Sequence, residues 1–389
     1  MDILKLVDTQ KVLDWRRHLH MHPELSFKEF ETTEYLVQQI AKYPDVEVIR
    51  PAKTGLVAVL KGGKPGKTIG LRADIDALPI TEEVDLEFKS KNPGVMHACG
   101  HDCHTAMLLG ALDVLYGQKD QLCGTVKFIF QHAEEHPPGG AIDLVKSGLL
   151  DDVEAFYGTH VFVDAPVGVV RTAAGPVSAN ADIFSIAIQG KGVHAALPEK
   201  GVDTLLVGTE IVQALHYIVS RNVSSFESAV VTVGAFNAGN AHNIIPDTAK
   251  ILGTVRTTTP EVRETIAKRI HDVANSICAA YGASCEVNYT YGYDAVVNDE
   301  GLCDYFARIT AKVLPDVTID KMKPIMGGED FSAYGKIAPA LFASVGAGPK
   351  DGEYFNAHHP KFFVDEGVLP IGTTLYAAFA LMSAQIDKS

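Results

Sequence analysis

Apolar runs of strand length in the first 160 residues keep ending in ionisable side chains. Thr68-Ile69-Gly70-Leu71 runs into Arg72-Ala73-Asp74-Ile75-Asp76. Gly124–Phe130 runs into His132-Ala133-Glu134-Glu135-His136, and Ala155–Gly158 into Thr159-His160. A chain that alternates such strands with helices folds as a β/α sheet, and the C-terminal strand ends of such a sheet line the edge where sites form. Donors far apart in sequence can meet there. Between the first two runs stands Met96-His97-Ala98-Cys99-Gly100-His101-Asp102-Cys103-His104, directly ahead of a helix-like run through Met107, Leu108, Leu109, Leu112 and Leu115. Cys99 and His101 offer a thiolate and an imidazole from one turn, which suits a borderline metal ion. Alone, the stretch also reads as a buried Cys beside a helix-capping Asp102. The second cluster around Glu134, together with His160 and the pair His358-His359, favours the metal.

The same alternation sets the architecture. Val12, Trp15 and Leu19 lie at helical spacing, and Ser26–Glu29 reads as a capping box opening a helix through Tyr35, Leu36 and Ile40. Strands are expected at 46–49 and 56–60, and a helix at 141–150. From Ala181 the texture changes to strand 184–188, helix 203–221, strands 229–233 and 249–257, helix 261–281 and strand 285–289. That β-α-β-β-α-β order is the split βαβ module. A helix at 302–313, a strand at 340–345 and a helix from Leu369 then resume the first pattern. The reading is an α/β protein, a catalytic domain of residues 1–178 and 291–389 interrupted by an inserted domain of residues 179–290.

Composition narrows the partners. At 389 residues, 47% hydrophobic and 21% charged, the chain has the make-up of an ordinary soluble globular protein with a substantial core. A net charge of -14 without a basic cluster excludes a nucleic-acid partner. The six cysteines lack disulfide-framework spacing, so a reduced, cytoplasmic setting is expected, which keeps Cys99 available as a ligand. The N-terminus lacks the basic start and apolar core of a signal peptide, and no segment is apolar for long enough to span a bilayer.

Glu134-Glu135 is the most informative pair. Adjacent carboxylates at a strand end repel, and they persist at a dry site only beside compensating positive charge. One can bind a cation while its neighbour serves as general base on a water molecule. The alternative is a solvated acidic turn before Pro137-Pro138. Alone, His160 reads as a core histidine and His358-His359-Pro360 as a loop. Asp74 and Asp76 read as turn formers, caps, or carboxylates that orient a ligand histidine. Gly327-Gly328-Glu329-Asp330 reads as a flexible acidic helix start, and His194 as a loop histidine of the inserted domain. The pattern points to a metal-dependent hydrolase.

Several motifs in order carry a resemblance across nearly the whole chain. They are Arg16-Arg17-His18-Leu19-His20 with His22-Pro23-Glu24-Leu25-Ser26, Arg72–Pro79, His97–Asp102, Ala133-Glu134-Glu135, Gly158-Thr159-His160 and Gly327–Phe331. The chain resembles the metal-dependent N-acyl-amino-acid amidohydrolases, that is aminoacylases, hippurate hydrolases and plant hydrolases of indoleacetyl-amino-acid conjugates, within the dinuclear-metal exopeptidases. The resemblance implies a mixed-sheet α/β/α catalytic domain of the phosphorylase/hydrolase-like, zinc exopeptidase type, with a ferredoxin-like α+β lid and dimerisation insert. It implies two divalent metal ions, zinc or manganese first and cobalt or nickel as alternatives, held by Cys99, His101, Glu135, His160 and His358, with His359 left open at the last position. Glu134 would be the general base and His194 a further catalytic residue, with Asn243, Arg256 and Glu329 near the substrate. The implied partners are a small N-acyl amino acid and a second copy of the chain. A dipeptidase, an aminopeptidase or an N-acetyl-diaminopimelate deacetylase would use the same site. A non-catalytic metal-binding protein of this fold is disfavoured, because Glu134 and every ligand position are filled. His132 stands where relatives commonly carry Pro, a departure that bears on the strand exit or the pocket wall.

Overall fold

The computed structural model describes residues 2–350 and 352–386. Helix α1 (Thr9–Met21) buries Val12, Trp15 and Leu19, the apolar stripe its spacing promised, and Asp8 caps it by accepting from the Lys11 N–H. Then come α2 (Phe30–Ile40), β1 (Val46–Ile49), β2 (Leu56–Lys61), β3 (Lys64–Asp74) and α3 (His101–Gly117). They are followed by β4 (Cys123–Gln131), α4 (Ala141–Lys146), β5 (Ala155–Pro166), β6 (Val169–Thr172) and β7 (Gly175–Pro176). The next elements are β8 (Asn180–Gln189), β9 (Val193–His194), α5 (Thr204–Asn222), β10 (Ala229–Ala238), β11 (Ile244–Ile245), β12 (Thr248–Thr257), α6 (Pro260–Ala280) and β13 (Ser284–Tyr293). The chain closes with β14 (Val297–Asn298), α7 (Glu300–Val313), β15 (Thr318–Lys321), β16 (Ala340–Gly348) and α8 (Val368–Leu381). It divides into two compact units, residues 1–177, 296–323 and 330–389 in the first, and 178–295 with 324–329 in the second.

The first unit is built on an eight-stranded mixed sheet in the order β1-β2-β4-β3-β5-β16-β6-β15. Its centre, β4-β3-β5-β16, is parallel, so the C-terminal ends of β3 and β4 share one edge. Helix α3 packs against this sheet, α1 and α8, and its apolar residues from Ala106 to Leu112 are buried on every side. Two glycines allow the helices to approach this closely. A Cβ at Gly372 of α8 would fall 1.9 Å from Met107 Sδ, and one at Gly110 would fall 2.7 Å from Val12 Cγ2. Each large aliphatic side chain fully buried here contributes roughly 1.5–3 kcal/mol, so α3 is firmly anchored.

The second unit is a four-stranded antiparallel sheet in the order β10-β12-β8-β13, with α5 and α6 packed against its apolar residues. That order is the one a ferredoxin-like β-α-β-β-α-β chain produces. Strand β8 alternates cleanly, burying Asp182, Phe184, Ile186 and Ile188.

Local expectations fail in two places. Ser26–Glu29 is not a capping box. Ser26 Oγ donates to Asp76, and Glu29 Oε1 accepts from the N–H groups of Phe27 and Ala133, so long-range partners outcompete the helix end. The helix expected to reach Leu150 stops at Lys146, because Gly148 turns the chain at φ 74°.

Candidate active site

Register brings the donors to one level. In the β3–β4 ladder Asp74 pairs with Gln131, three residues before Glu134. In the β3–β5 ladder Arg72 pairs with Gly158, so His160 stands level with Asp74. The sequence reading put His160 at or just past a strand end. Instead β5 continues to Pro166, since β16 supplies a partner along its other edge as far as Gly348. Gly100 is the N-cap of α3 with φ 87°, and a Cβ there would lie 2.4 Å from Val161 Cγ2. Only glycine makes this turn, which turns the chain between Cys99 and His101. Ala133, beside the donors, and His358, itself one of them, hold left-handed backbone at φ 52° and 68°, a strain that persists where the surroundings over-determine it.

Among the groups of donor atoms that result, three link the predicted ligands: Cys99, His101 and His160; Cys99, Glu135 and His358; His101, Glu134 and Glu135, while Asp74, His101 and His104 form another. Within each group the atoms lie within 4.8 Å of one another. Cys99 Sγ is 3.3 Å from His160 Nε2, and His358 Nε2 is 3.1 Å from Glu135 Oε1. His101 Nε2 is 3.9 Å from Glu135 Oε1 and 4.0 Å from Glu134 Oε2. His359 turns away, accepting from the Lys361 N–H at Nδ1 and stacking on Phe355. His132 enters none of these groups. It is buried edge-on against Phe27, with Nε2 3.8 Å from Asp143.

The supporting contacts are dense. His101 Nδ1 donates to the Asp76 carbonyl at 2.9 Å, and Asp76 Oδ2 accepts from the Glu135 N–H at 3.0 Å, so Asp76 orients two donors at once. Arg72, fully buried, donates to Asp74, Gln131 and Asp330. Asp330, expected in a flexible acidic segment, is instead buried, accepting also from the Gln131 amide and the Ala141 N–H. Burial raises its pKa to about 6. Asp102, one residue past His101, is paired with His20 at 2.7 Å and Arg16 at 3.0 Å. Sequence reasoning missed His104, whose Nδ1 is 2.6 Å from Asp74 Oδ1. The available signal was its place one helical turn after His101.

The electrostatics call for a cation. Burial opposes charge on His101, yet Asp74, Asp76 and Glu135 push its pKa up to about 10. Burial and then Glu135, Glu134 and Asp74 push the Cys99 thiol well up. Without a cation, the site therefore draws protons to His101 and Cys99 to offset its carboxylates. A thiolate, imidazoles and a carboxylate form a donor set for a divalent transition metal. His101 Nε2 fits that use: it is buried, has no hydrogen-bond partner, and its ring proton is already committed at Nδ1.

The remaining candidates belong to the second unit. His194 and Asn243 are neighbours there. His194 on β9 pairs with Ile244 on β11, and the Asn243 carbonyl accepts from the Ala195 N–H at 3.0 Å. Both side chains are exposed. Arg256 lies at the far end of β12, half-buried and donating to the Val255 carbonyl at 3.0 Å. Glu329 is buried.

Comparison with known proteins fixes the family. The model of peptidase family M20/M25/M40 matches residues 70–382. The chain belongs to this family. It is 45% identical over 303 residues to the N-acyl-L-amino acid amidohydrolase of Geobacillus stearothermophilus, covering 77% of this chain and 82% of that one. It is 38% identical over 380 residues to the N-acetylcysteine deacetylase of Bacillus subtilis, covering 97% and 98%. Among solved structures, a dinuclear metal binding peptidase from the M20 family of Bacillus subtilis superposes with a TM-score of 0.85 at 35% identity, covering 96% and 98%. This member of the M20/M25/M40 family is thus a metal-dependent amidohydrolase with the mixed α/β fold its sequence implied, and its donor groups accord with a pair of divalent ions. Among the described residues no helix is long and apolar enough to cross a membrane.

Proposed function

We propose that this M20/M25/M40 enzyme hydrolyses N-acyl-L-amino acids, with Cys99, His101, Glu135, His160 and His358 holding two divalent cations and Glu134 acting as general base. The observation that carries the proposal is the convergence of those five donors, drawn from α3, β5 and three loops, beside a second carboxylate. Bound there, the cations supply Lewis-acid polarisation of the scissile carbonyl and lower the pKa of water. Zinc is the first choice for a thiolate with imidazoles, followed by manganese, with cobalt and nickel as alternatives.

Glu134 accepts a proton on a carboxylate oxygen as the water oxygen bonds to the carbonyl carbon. It then delivers that proton to the amide nitrogen as the C–N bond breaks. His194 is assigned to the developing charge on the carbonyl oxygen. Arg256 is assigned to the substrate carboxylate, for which its planar fork is suited, and Asn243 and Glu329 to further polar contacts. We also assign a homodimer formed through the second unit, where α5 exposes Leu206 and Tyr217 on one face. The six free cysteines support work in a reducing compartment such as the cytoplasm.

The test is a hydrolysis screen of acetyl- and benzoyl-amino acids, N-acetyl-diaminopimelate and free-amine dipeptides, each with zinc, manganese, cobalt or nickel. Cleavage of the acylated substrates is expected. Cleavage of free-amine dipeptides alone would replace this reading with a peptidase. Sedimentation of the same preparation should show a dimer.

A further inference from the structure

We propose that His104 is a positioning residue for His160, so that one turn of α3 both presents His101 and sets a second donor on another element. The inference rests on the metal-site reading above. The β3–β5 pairing ends at Arg72 and Gly158. Three residues further along β5, the Val161 N–H donates to His104 Nε2 at 2.9 Å. A buried N–H left without an acceptor costs about 1–3 kcal/mol. His104 therefore takes the place of a strand partner at the residue after His160.

That bond fixes the tautomer. His104 Nε2 accepts, so the ring proton sits on Nδ1 and is donated to Asp74 Oδ1 at 2.6 Å. The other Asp74 oxygen accepts from Arg72 Nη1 at 2.7 Å, and the Asp74 carbonyl accepts from Thr105 Oγ1 at 2.7 Å. Asp74 is thus held on both sides, and His104 with it. On β5, His160 Nδ1 is 2.7 Å from the Val161 carbonyl, which places its proton there and leaves Nε2 bare, 3.3 Å from Cys99 Sγ. The His104 and His160 rings meet at 4.5 Å between centroids, inclined at 62°. Val161 is the common hinge: its N–H is held by His104 and its carbonyl orients His160.

The experiment is a cobalt titration of metal-free protein, read by thiolate-to-cobalt absorption, with two variants that divide the imidazole's work. His104→Gln carries an amide oxygen out to the Nε2 position, within reach of the Val161 N–H, whereas His104→Asn reaches only the Nδ1 position. The Asn variant should bind one cobalt roughly 10–100-fold more weakly with an altered spectrum, the usual cost of losing such a support. The Gln variant should stay near wild type. A packing role alone predicts an unaltered spectrum in both. Wild-type binding together with an Asn variant of wild-type affinity and spectrum overturns this inference alone. Wild-type protein that takes up no cobalt overturns the metal-site reading as well. Nitrogen-15 shifts of metal-free wild-type protein give a second measurement that needs no variant. His104 protonated at Nδ1 and bare at Nε2, with slow exchange at the Val161 amide, is expected, and the opposite tautomer would refute the proposal.

Discussion

Each unit buries an aspartate against an arginine, and the two pairs serve different ends. In the second unit Asp182 is saturated: Oδ1 accepts from Arg263 and the Gly292 N–H, and Oδ2 from Arg263 and the Tyr289 hydroxyl. Among the described residues no imidazole bonds to Asp182, and the pair ties β8 to α6 and β13. In the first unit Arg72 donates to one oxygen of Asp74, and the other oxygen turns to His104 beside the donor groups. Burial of an acid is therefore not itself a mark of function. What marks the site is a buried acid whose partners lead to a histidine with a bare nitrogen. The units also differ in how they hold their candidate residues. His101 is fixed from behind by Asp76, while His194 and Asn243 are exposed at strands two residues long.

The contrast can be broken most forcefully at Glu134. Glu134→Gln should retain both cations by elemental analysis and lose about 10²–10⁴-fold in kcat; near-normal turnover would remove Glu134 from the mechanism. Asp182→Asn tests the other side. Breaking a buried pair costs about 3–5 kcal/mol, so the denaturation midpoint should fall steeply while metal content and kcat of the folded fraction stay unchanged. Altered metal content would mean that the second unit's pair also supports the site.

Next in size is the choice between adjacent histidines. His358→Ala should lose affinity for one cation, while His359→Ala, which removes a ring stacked on Phe355 and an acceptor for the Lys361 N–H, should keep both. The reverse pattern would exchange their roles. The smallest effect is at Glu29. Burial, with Asp76 adding to it, raises its pKa from 4.5 to about 7. The folded metal-free protein therefore holds a proton that the unfolded chain releases, and stability should fall by at most about 3 kcal/mol as pH rises from about 4.5 to 7. Glu29→Gln should flatten that slope in pH-dependent unfolding, and an unchanged slope would assign it to other groups.

What was legible in the sequence was local. The apolar spacing of α1 and the alternation along β8 determine their elements without help from elsewhere. The donors of Met96–His104 and Ala133–Glu135 could be picked out because each cluster lies within a few residues. Long-range pairing was hidden. His160 lies inside β5 because β16, some 180 residues later, pairs along it. Glu29 is drawn from a helix cap to Ala133, and Asp330 from a flexible acidic stretch to Arg72, across separations of 104 and 258 residues. The role of His104 was hidden in the same way, since its partners, Asp74 and Val161, lie on two other elements.

The most direct test is anomalous diffraction at the metal edge from crystals of the metal-loaded enzyme. The account predicts two peaks, each bonded to some of Cys99, His101, Glu135, His160 and His358, with Glu134 beside them and bonded to neither. Peaks bonded elsewhere, or fewer than two among those five residues at full occupancy, would contradict it.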